Sequence, residues 1–193
     1  MTEDDAFARL VSLACHDLRT PLATVHGFAT TLARSGDLEP PADRYVEMID
    51  AASKQLAELI DELSLAARIE SGRYDPAPRE AGTLELAQAA AARLGEDRVH
   101  ITGSGAALET DADAVERGLA ALFQSAVRHG GLDEVAVEVD GAEMRLSPVT
   151  PASAPVVLGD DLRDLGAAVA VRLVRRLGGS VSVEDRTVTI RLA

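Results

Sequence analysis

Apolar residues recur every three to four positions along the first 72 residues, which predicts two long helices. The helical spacing runs over residues 4–34 and resumes over residues 45–66. Between them, residues 35–41 contain a glycine that stops one helix and a proline pair that starts the next. Two long helices joined by a short turn form an antiparallel hairpin.

A lone hairpin cannot bury an apolar stripe on both of its helices. When two hairpins pair, they form a four-helix bundle that covers both stripes. We therefore predict that residues 1–72 are a dimerisation domain and that the protein is a homodimer.

A different pattern follows residues 73–82, which we predict to be a linker. Helix-like and strand-like segments alternate over residues 83–193, and the strand-like ones show period-two alternation. The predicted helices are 83–94, 111–129 and 162–177, and the predicted strands are 98–101, 135–139, 143–147, 180–184 and 187–192. The last two strands are joined by a tight turn at residues 184–186. The fold class is therefore α+β with two domains, the second having helices on one face of a mixed sheet.

Composition narrows the class of protein. Hydrophobic residues make up 47% and aromatic residues only 3%, so the core is built from Ala, Leu and Val. The net charge of −13 argues against a nucleic-acid partner and an anionic membrane surface. Apolar runs are too short to span a membrane, and the acidic N-terminus lacks signal-peptide features. We expect a soluble cytoplasmic protein, with no sensor domain in the short segment before the first helix.

The segment His-Asp-Leu-Arg-Thr-Pro-Leu at residues 16–22 carries the candidate chemistry. A neutral imidazole is a good nucleophile near pH 7 and can carry a phosphoryl group. Thr20 lies four residues after His16, on the same helical face. Pro21 cannot donate a backbone hydrogen bond, so we expect a kink near the site.

This segment closely resembles the H-box of bacterial sensor histidine kinases, and the hairpin resembles their dimerisation and phosphotransfer domain. The resemblance implies that His16 is the phosphoacceptor. It implies that Asp17 hydrogen-bonds and polarises the imidazole, and that Thr20 is a candidate for positioning water in a phosphatase reaction. The only cysteine, Cys15, is expected to be a small packed side chain.

The other histidines show no metal-ligand spacing, so we predict no metal site. His26 has no second motif around it and is expected to be structural. His100 and His129 lie in the other half of the chain.

Residues 83–193 resemble the ATP-binding domain of histidine kinases, which has the Bergerat fold. Residues 111–129 are similar to its N-box helix, and residues 165–179 are similar to the helix after its second glycine box. The functional residues of that family are missing, however. The N-box asparagines are matched by Ala121 and Ser125, residues 146–153 contain neither Asp nor Gly, and Asp164 would repel a triphosphate. We therefore expect that the chain binds no nucleotide cofactor and has no autokinase activity.

These observations predict a histidine phosphotransferase of a phosphorelay, resembling dimeric phosphotransferases that pair a kinase-like hairpin with a degenerate ATP-binding domain. His16 would carry a phosphoryl group between the aspartates of response-regulator receiver domains, and Mg²⁺ would be bound by the receiver partner. Two alternatives stay open. One is a sensor-type histidine kinase with an atypical ATP site. The other is a non-enzymatic docking module for response regulators, or a phosphatase using Thr20.

Overall fold

The protein folds into two compact units, the first ending at Tyr74 and the second beginning at Asp75. The structure, a computed structural model, describes residues 3–36, 38–95 and 98–193. Asp37, in the predicted turn, lies outside the described residues, as do residues 96–97. Across the described ranges, no helix combines the length and apolarity that a membrane span needs.

The first unit is the predicted helical hairpin. Helix α1 spans Glu3–Ser35 and α2 spans Ala42–Glu70. Helix α1 is followed by Gly36 with a positive φ of 69°, a conformation that glycine adopts without steric strain.

The hairpin buries small side chains between its helices and leaves large ones exposed. Ala8, Cys15 and Ala29 of α1 are buried, as are Val46, Ser53 and Ala67 of α2. The burial of Cys15 confirms its expected packing. Large apolar side chains with 39% to 68% of their surface exposed form a stripe along the hairpin, here called the apolar stripe: Phe7, Leu10, Leu18, Val25, Phe28, Leu32, Tyr45, Met48, Ile49, Leu56, Leu59 and Leu63. Leu13 is also exposed but lies outside this stripe, on another side of α1.

The second unit contains seven strands and four helices within the described residues. In chain order they are β1 (Arg79–Gly82), α3 (Thr83–Ala92), β2 (Val99–Gly105), β3 (Ala107–Thr110), α4 (Ala112–Gly130), β4 (Val135–Gly141), β5 (Glu143–Ser147), α5 (Ala154–Val157), α6 (Leu165–Arg176), β6 (Ser180–Glu184) and β7 (Thr187–Arg191).

Five of these strands form a mixed sheet in the order β2-β4-β5-β7-β6. Strands β2 and β4 are parallel and the other neighbours are antiparallel. Asp185 and Arg186 join β6 to β7, and both have positive φ, as a tight two-residue hairpin requires. The predicted turn is therefore confirmed. Strands β1 and β3 form a separate antiparallel pair.

One face of the five-stranded sheet forms the core with the helices. Val135, Val137 and Val139 of β4 alternate inward and are almost completely buried. Helices α4 and α6 lie close together where Gly118 faces Ala170 and Leu173, because a glycine leaves room for the opposing helix. On the other face, Arg145 forms ion pairs with Glu138, Asp140 and Glu143. The expected α+β class with a mixed sheet is confirmed.

The structure differs from the sequence-based boundaries in several places, and β2 continues to Gly105 rather than ending at residue 101. The predicted linker, residues 73–82, contains β1, whose backbone pairs with β3. Strand β3 and the short helix α5 were not predicted, since four-residue segments carry too little periodic signal. Helix α6 begins at Leu165 rather than at residue 162 because the side chain of Asp164 caps it.

We predict that Gly103→Ala destabilises the second unit much more than Gly141→Ala. Both glycines have positive φ, which costs alanine about 1–2 kcal/mol. A Cβ at Gly103 would also overlap the backbone oxygen of Val139, whereas a Cβ at Gly141 would have no heavy atom within 4 Å. The overlap adds about 1–3 kcal/mol. Urea denaturation followed by circular dichroism measures both free energies of unfolding, and equal losses would contradict the prediction.

Candidate functional site

His16 lies near the middle of α1 with its side chain exposed. Among the residues that the structure describes, its imidazole has no hydrogen-bond partner. Thr20 is also exposed, and it lies about 40° from His16 around the helix axis. Val25, in the apolar stripe, lies nine residues on and therefore about 180° away. The imidazole is accessible on the side of α1 opposite the apolar stripe.

Asp17 is exposed but does not bond to His16 in this structure, which describes both residues. Neighbouring helix positions diverge by about 100°, so their side chains do not face each other without rotamer changes. The predicted roles of His16, Asp17 and Thr20 stay predictions at this point. The structure shows that their side chains are free to reach a partner.

Pro21 does not interrupt α1, which continues to Ser35. The proline ring cannot donate to the carbonyl of Asp17, so that backbone oxygen lacks the usual N–H partner four residues on. One turn further on, the hydroxyl of Thr24 donates to the carbonyl of Thr20 at 3.1 Å. The turn after His16 therefore has a modified backbone hydrogen-bond pattern within a continuous helix.

Arg19 connects this segment to α2. Its Nε and Nη2 donate to Oδ1 of Asp61 at 3.2 and 2.7 Å. Both side chains are exposed, so the ion pair contributes less than about 1 kcal/mol to stability. Its geometric effect is to hold Arg19 against α2, on the flank of α1 beside His16.

A second polar cluster between the helices surrounds Asp50 of α2. The hydroxyl of Thr30 donates to Oδ1 of Asp50 at 2.8 Å, Lys54 pairs with Oδ2 at 2.6 Å, and Nδ1 of His26 lies 3.1 Å from Oδ1. The hydrogen bonds from Lys54 and Thr30, together with the positive charge of Lys54, lower the pKa of Asp50 and outweigh the effect of its burial.

Sequence reasoning assigned His26 a structural role but missed this cluster. Nδ1 of His26 also lies 3.2 Å from Oγ of Ser53, a side chain buried between the helices. The available signal was the Asp50–Lys54 spacing of four residues on a predicted helix. The contact with His26 depends on the register between α1 and α2, which the sequence did not reveal.

In the second unit, the positions that match the N-box asparagines offer little to a nucleotide. Ala121 has no polar side-chain atom. Ser125 is fully buried, and its Oγ has no partner among the described residues. Both lie on α4, whose inner face packs in the core.

Asp164 lies at the N-terminus of α6, where the second glycine box was expected. Its Oδ1 accepts a hydrogen bond from the backbone N–H of Ala167 at 3.1 Å. Its Oδ2 lies 3.0 Å from Nε2 of His129, at the end of α4, and both side chains are largely buried. A helix N-terminus attracts anions, and here a carboxylate of the chain itself takes that position.

Residues 146–153, matched to the first glycine box, begin with the end of β5 and continue into a turn in which Thr150 and Ser153 are hydrogen-bonded to each other. The hydroxyl of Ser153 accepts from the N–H of Thr150 at 3.1 Å, and the hydroxyl of Thr150 accepts from the N–H of Ser153 at 3.2 Å. Val149 is buried beside them. No carboxylate is present in this stretch to recognise an adenine amine.

A surface cavity of about 540 Å³ in the second unit borders this stretch at Pro148 but includes none of Ala121, Ser125 and Asp164. It is lined by His100, Leu132, Asp133, Glu134, Val135, Ala136 and Pro148. His100 is bound there through Nε2 to Glu134 at 2.8 Å. Within the part of the chain that the structure describes, no group of three or more His, Cys, Asp or Glu side chains could hold a metal ion.

Comparisons with known proteins find a matching domain, related sequences and similar structures. Residues 8–72 match the His Kinase A (phospho-acceptor) domain. A probable sensor histidine kinase of Mycobacterium tuberculosis, TcrY, is 28% identical over 95 residues, covering 49% of this chain and 19% of TcrY. The sensor protein KdpD of the same species is 27% identical over an alignment that covers 98% of this chain and 26% of KdpD. The chain therefore spans only about a fifth to a quarter of these relatives' length.

Solved structures show the same fold. Full-length ShkA in complex with AMPPNP superposes with a TM-score of 0.68 at 20% identity, covering 94% of this chain and 44% of ShkA. The histidine kinase AdeS of Acinetobacter baumannii superposes with a TM-score of 0.58 at 16% identity, covering 92% of this chain and 97% of the AdeS chain. Residues 8–72 therefore form a hairpin of the His Kinase A (phospho-acceptor) type, and the chain as a whole is similar to sensor histidine kinases in sequence and in fold.

Proposed function

We propose that this protein is a histidine phosphotransferase of a two-component phosphorelay, which carries a phosphoryl group on His16 without using ATP itself. The observation that carries this proposal is the carboxylate of Asp164 at the N-terminus of α6. It takes the anion position of the nucleotide domain while His16 stays accessible in an intact H-box.

The charge at α6 opposes a triphosphate directly. Asp164 already accepts from Ala167 and contacts His129, so a phosphate at this helix end would have to displace both partners and approach a negative charge. The N-box positions supply no compensating ligand, because Ala121 is apolar and Ser125 is buried. Metal binding, base recognition and phosphate binding are therefore all weakened together.

The phosphoryl group would then come from the aspartyl phosphate of a receiver domain. The imidazole of His16 attacks phosphorus, the P–O bond to the receiver aspartate breaks, and the electron pair leaves with the carboxylate. Mg²⁺ on the receiver would stabilise the charge of the transferring group. Asp17 would reorient to accept the imidazole N–H and stabilise the positive charge that develops.

A receiver domain also needs a surface to contact. Leu13 is exposed and lies about 60° from His16 around α1, almost one turn before it. It offers an apolar contact next to the reacting nitrogen, which a receiver domain would cover during transfer. Docking there leaves the opposite side of α1 available for a second copy of the chain.

A phosphatase activity through Thr20 is a second candidate. Its hydroxyl is exposed on the same face as His16, about 40° away, and donates no hydrogen bond within the described residues. It is therefore able to orient a water toward a docked receiver phosphate. His16→Ala separates the two activities, since only phosphotransfer needs the imidazole.

Calorimetric titration with Mg-ATP is expected to show no saturable binding up to millimolar nucleotide. The reason is the combined loss of the N-box ligands, the adenine carboxylate and the open helix terminus. A kinase of the same family with intact N-box asparagines is the positive control. A dissociation constant below about 1 mM would instead support an autokinase with an atypical site.

Phosphotransfer is expected from receiver domains that are charged with acetyl phosphate, desalted and mixed with the protein in the presence of Mg²⁺. Position-resolved mass spectrometry should find phosphate on His16. His16→Ala should lose it, and Asp17→Asn should slow its formation by about 100-fold. His100→Ala, an exposed histidine of the other unit, should transfer normally. If no receiver of the source organism labels His16, the phosphotransferase proposal is wrong.

A homodimer is expected because the apolar stripe is uncovered in a single chain. Light scattering should give a mass of twice 20.2 kDa. Phe28→Glu places a charge within the stripe and should yield monomers that stay helical. Ala23→Glu is the matched control, since Ala23 is exposed and lies about 140° from Phe28 around α1. A monomeric wild type, or identical behaviour of the two variants, would argue against the bundle.

A further inference from the structure

We propose that His26 is a second phosphoryl-accepting side chain of the hairpin, which reacts through Nε2 while Asp50 and Ser53 hold its Nδ1–H. The inference concerns the intrinsic reactivity of His26 and does not depend on phosphotransfer through His16.

The hydrogen bonds around His26 determine which ring nitrogen carries the proton. The hydroxyl of Ser53 donates to the backbone carbonyl of Asp50 at 2.8 Å, so its oxygen can only accept from His26. The carboxylate of Asp50 is an acceptor as well, and its Oδ1 lies 3.1 Å from the same Nδ1. Both neighbours of Nδ1 are therefore acceptors, which places the hydrogen on Nδ1 and leaves the lone pair of the neutral ring on Nε2.

That lone pair is accessible. The imidazole is 39% exposed, and no hydrogen bond to Nε2 is present among the described residues. His26 follows Arg19 by seven residues, so the two lie within about 20° around α1. Their ion pairs to Asp50 and Asp61 form one polar row between the helices. Phe28 of the apolar stripe lies about 160° from His26, so a partner that covers Phe28 leaves this row exposed.

The other two paired histidines have the reverse arrangement. His100 contacts Glu134 through Nε2 at 2.8 Å, and His129 contacts Asp164 through Nε2 at 3.0 Å. His100 is more exposed than His26, with 54% of its side chain accessible. The chain therefore contains one histidine that is more exposed, His100, and one that contacts a carboxylate through Nδ1, His26. Comparing their reactivity distinguishes the effect of exposure from the effect of the carboxylate.

The reaction balances without an added oxidant, reductant or base. With an acyl phosphate as donor, the Nε2 lone pair attacks phosphorus, an N–P bond forms, and the P–O bond breaks with its electron pair on the leaving carboxylate. The proton on Nδ1 stays where it is. The product is a phosphorylated imidazolium, whose positive charge faces the Asp50 carboxylate. Lys54 and Thr30 keep that carboxylate ionised, since their hydrogen bonds lower its pKa.

The test measures chemical phosphorylation of the full chain by potassium phosphoramidate at neutral pH, with each histidine quantified by position-resolved mass spectrometry. His26 should be labelled faster than the more exposed His100. Asp50→Asn should slow labelling of His26 by at least about 10-fold while labelling of His16 in the same sample stays unchanged. Circular dichroism establishes that the variant hairpin is still helical.

Ser53→Ala provides a second variant that keeps the Asp50 carboxylate and should reduce labelling of His26 less than Asp50→Asn does. Labelling that follows exposure, with His100 ahead of His26, would overturn the proposal, as would an Asp50→Asn variant with normal labelling. A parallel reaction with charged receiver domains identifies the donor. If the charged receiver domains label His26, an aspartyl phosphate is a donor to this side chain. If only phosphoramidate labels His26, its donors are small molecules.

Discussion

The uncovered apolar stripe of the hairpin is the constraint on which the accessibility of His16 depends. The contact between α1 and α2 is made by small buried side chains such as Ala8, Cys15 and Ala29. The bulky apolar side chains lie on another face of the helices and are exposed. Each of those bulky side chains gains about 1.5–3 kcal/mol when it is buried. A second hairpin therefore has a strong reason to cover the stripe. Because Val25 lies about 180° from His16, whatever covers the stripe leaves the imidazole on the outside of the assembly. In the proposed dimer, one helical pattern would therefore both bury the apolar stripe and leave His16 exposed.

The N-terminus of α6 illustrates how a carboxylate of the chain itself can occupy the position that an anionic ligand would take. An ATP-binding domain leaves a helix N-terminus open so that its N–H groups and dipole can stabilise phosphate. Here Asp164 supplies the anion from within the chain, and His129 joins it to the end of α4. An N-cap of this type contributes about 1 kcal/mol, so the substitution that disfavours phosphate also stabilises α6. Ser125 is buried, and its hydroxyl has no partner among the described residues, so this polar side chain is closed off from solvent within the core.

The elements with strong periodicity were predictable from the sequence, and the contacts between them were not. Both hairpin helices, α4 and the β6–β7 turn follow from apolar spacing and turn residues. Strands β1 and β3 were not predicted, because each has only four residues and is defined by its pairing with the other. At the site, the position of His16 on the first helix of the hairpin was predictable from the sequence, and its exposure was learned from the structure. The Asp50 cluster could not be predicted, because it requires α1 and α2 to be in a register that aligns His26 with Asp50, and several registers satisfy the same apolar pattern.

The histidines of this chain show why geometry at the ring nitrogens matters more than exposure alone. A histidine that uses Nε2 to contact a carboxylate, as His100 and His129 do, has that nitrogen occupied. A histidine that contacts a carboxylate through Nδ1 presents a free Nε2. When Nε2 attacks, the carboxylate at Nδ1 compensates the positive charge that develops on the ring. In this structure His26 has that arrangement, whereas His16 has access without a carboxylate contact. The H-box supplies such a carboxylate next to His16, on a side chain about 100° away around the helix. His16 would therefore need a rotamer change to gain the carboxylate contact that His26 already has. In the proposed phosphotransferase, a docked receiver domain would induce that change, and activation that depends on the partner would protect the phosphoryl group between encounters.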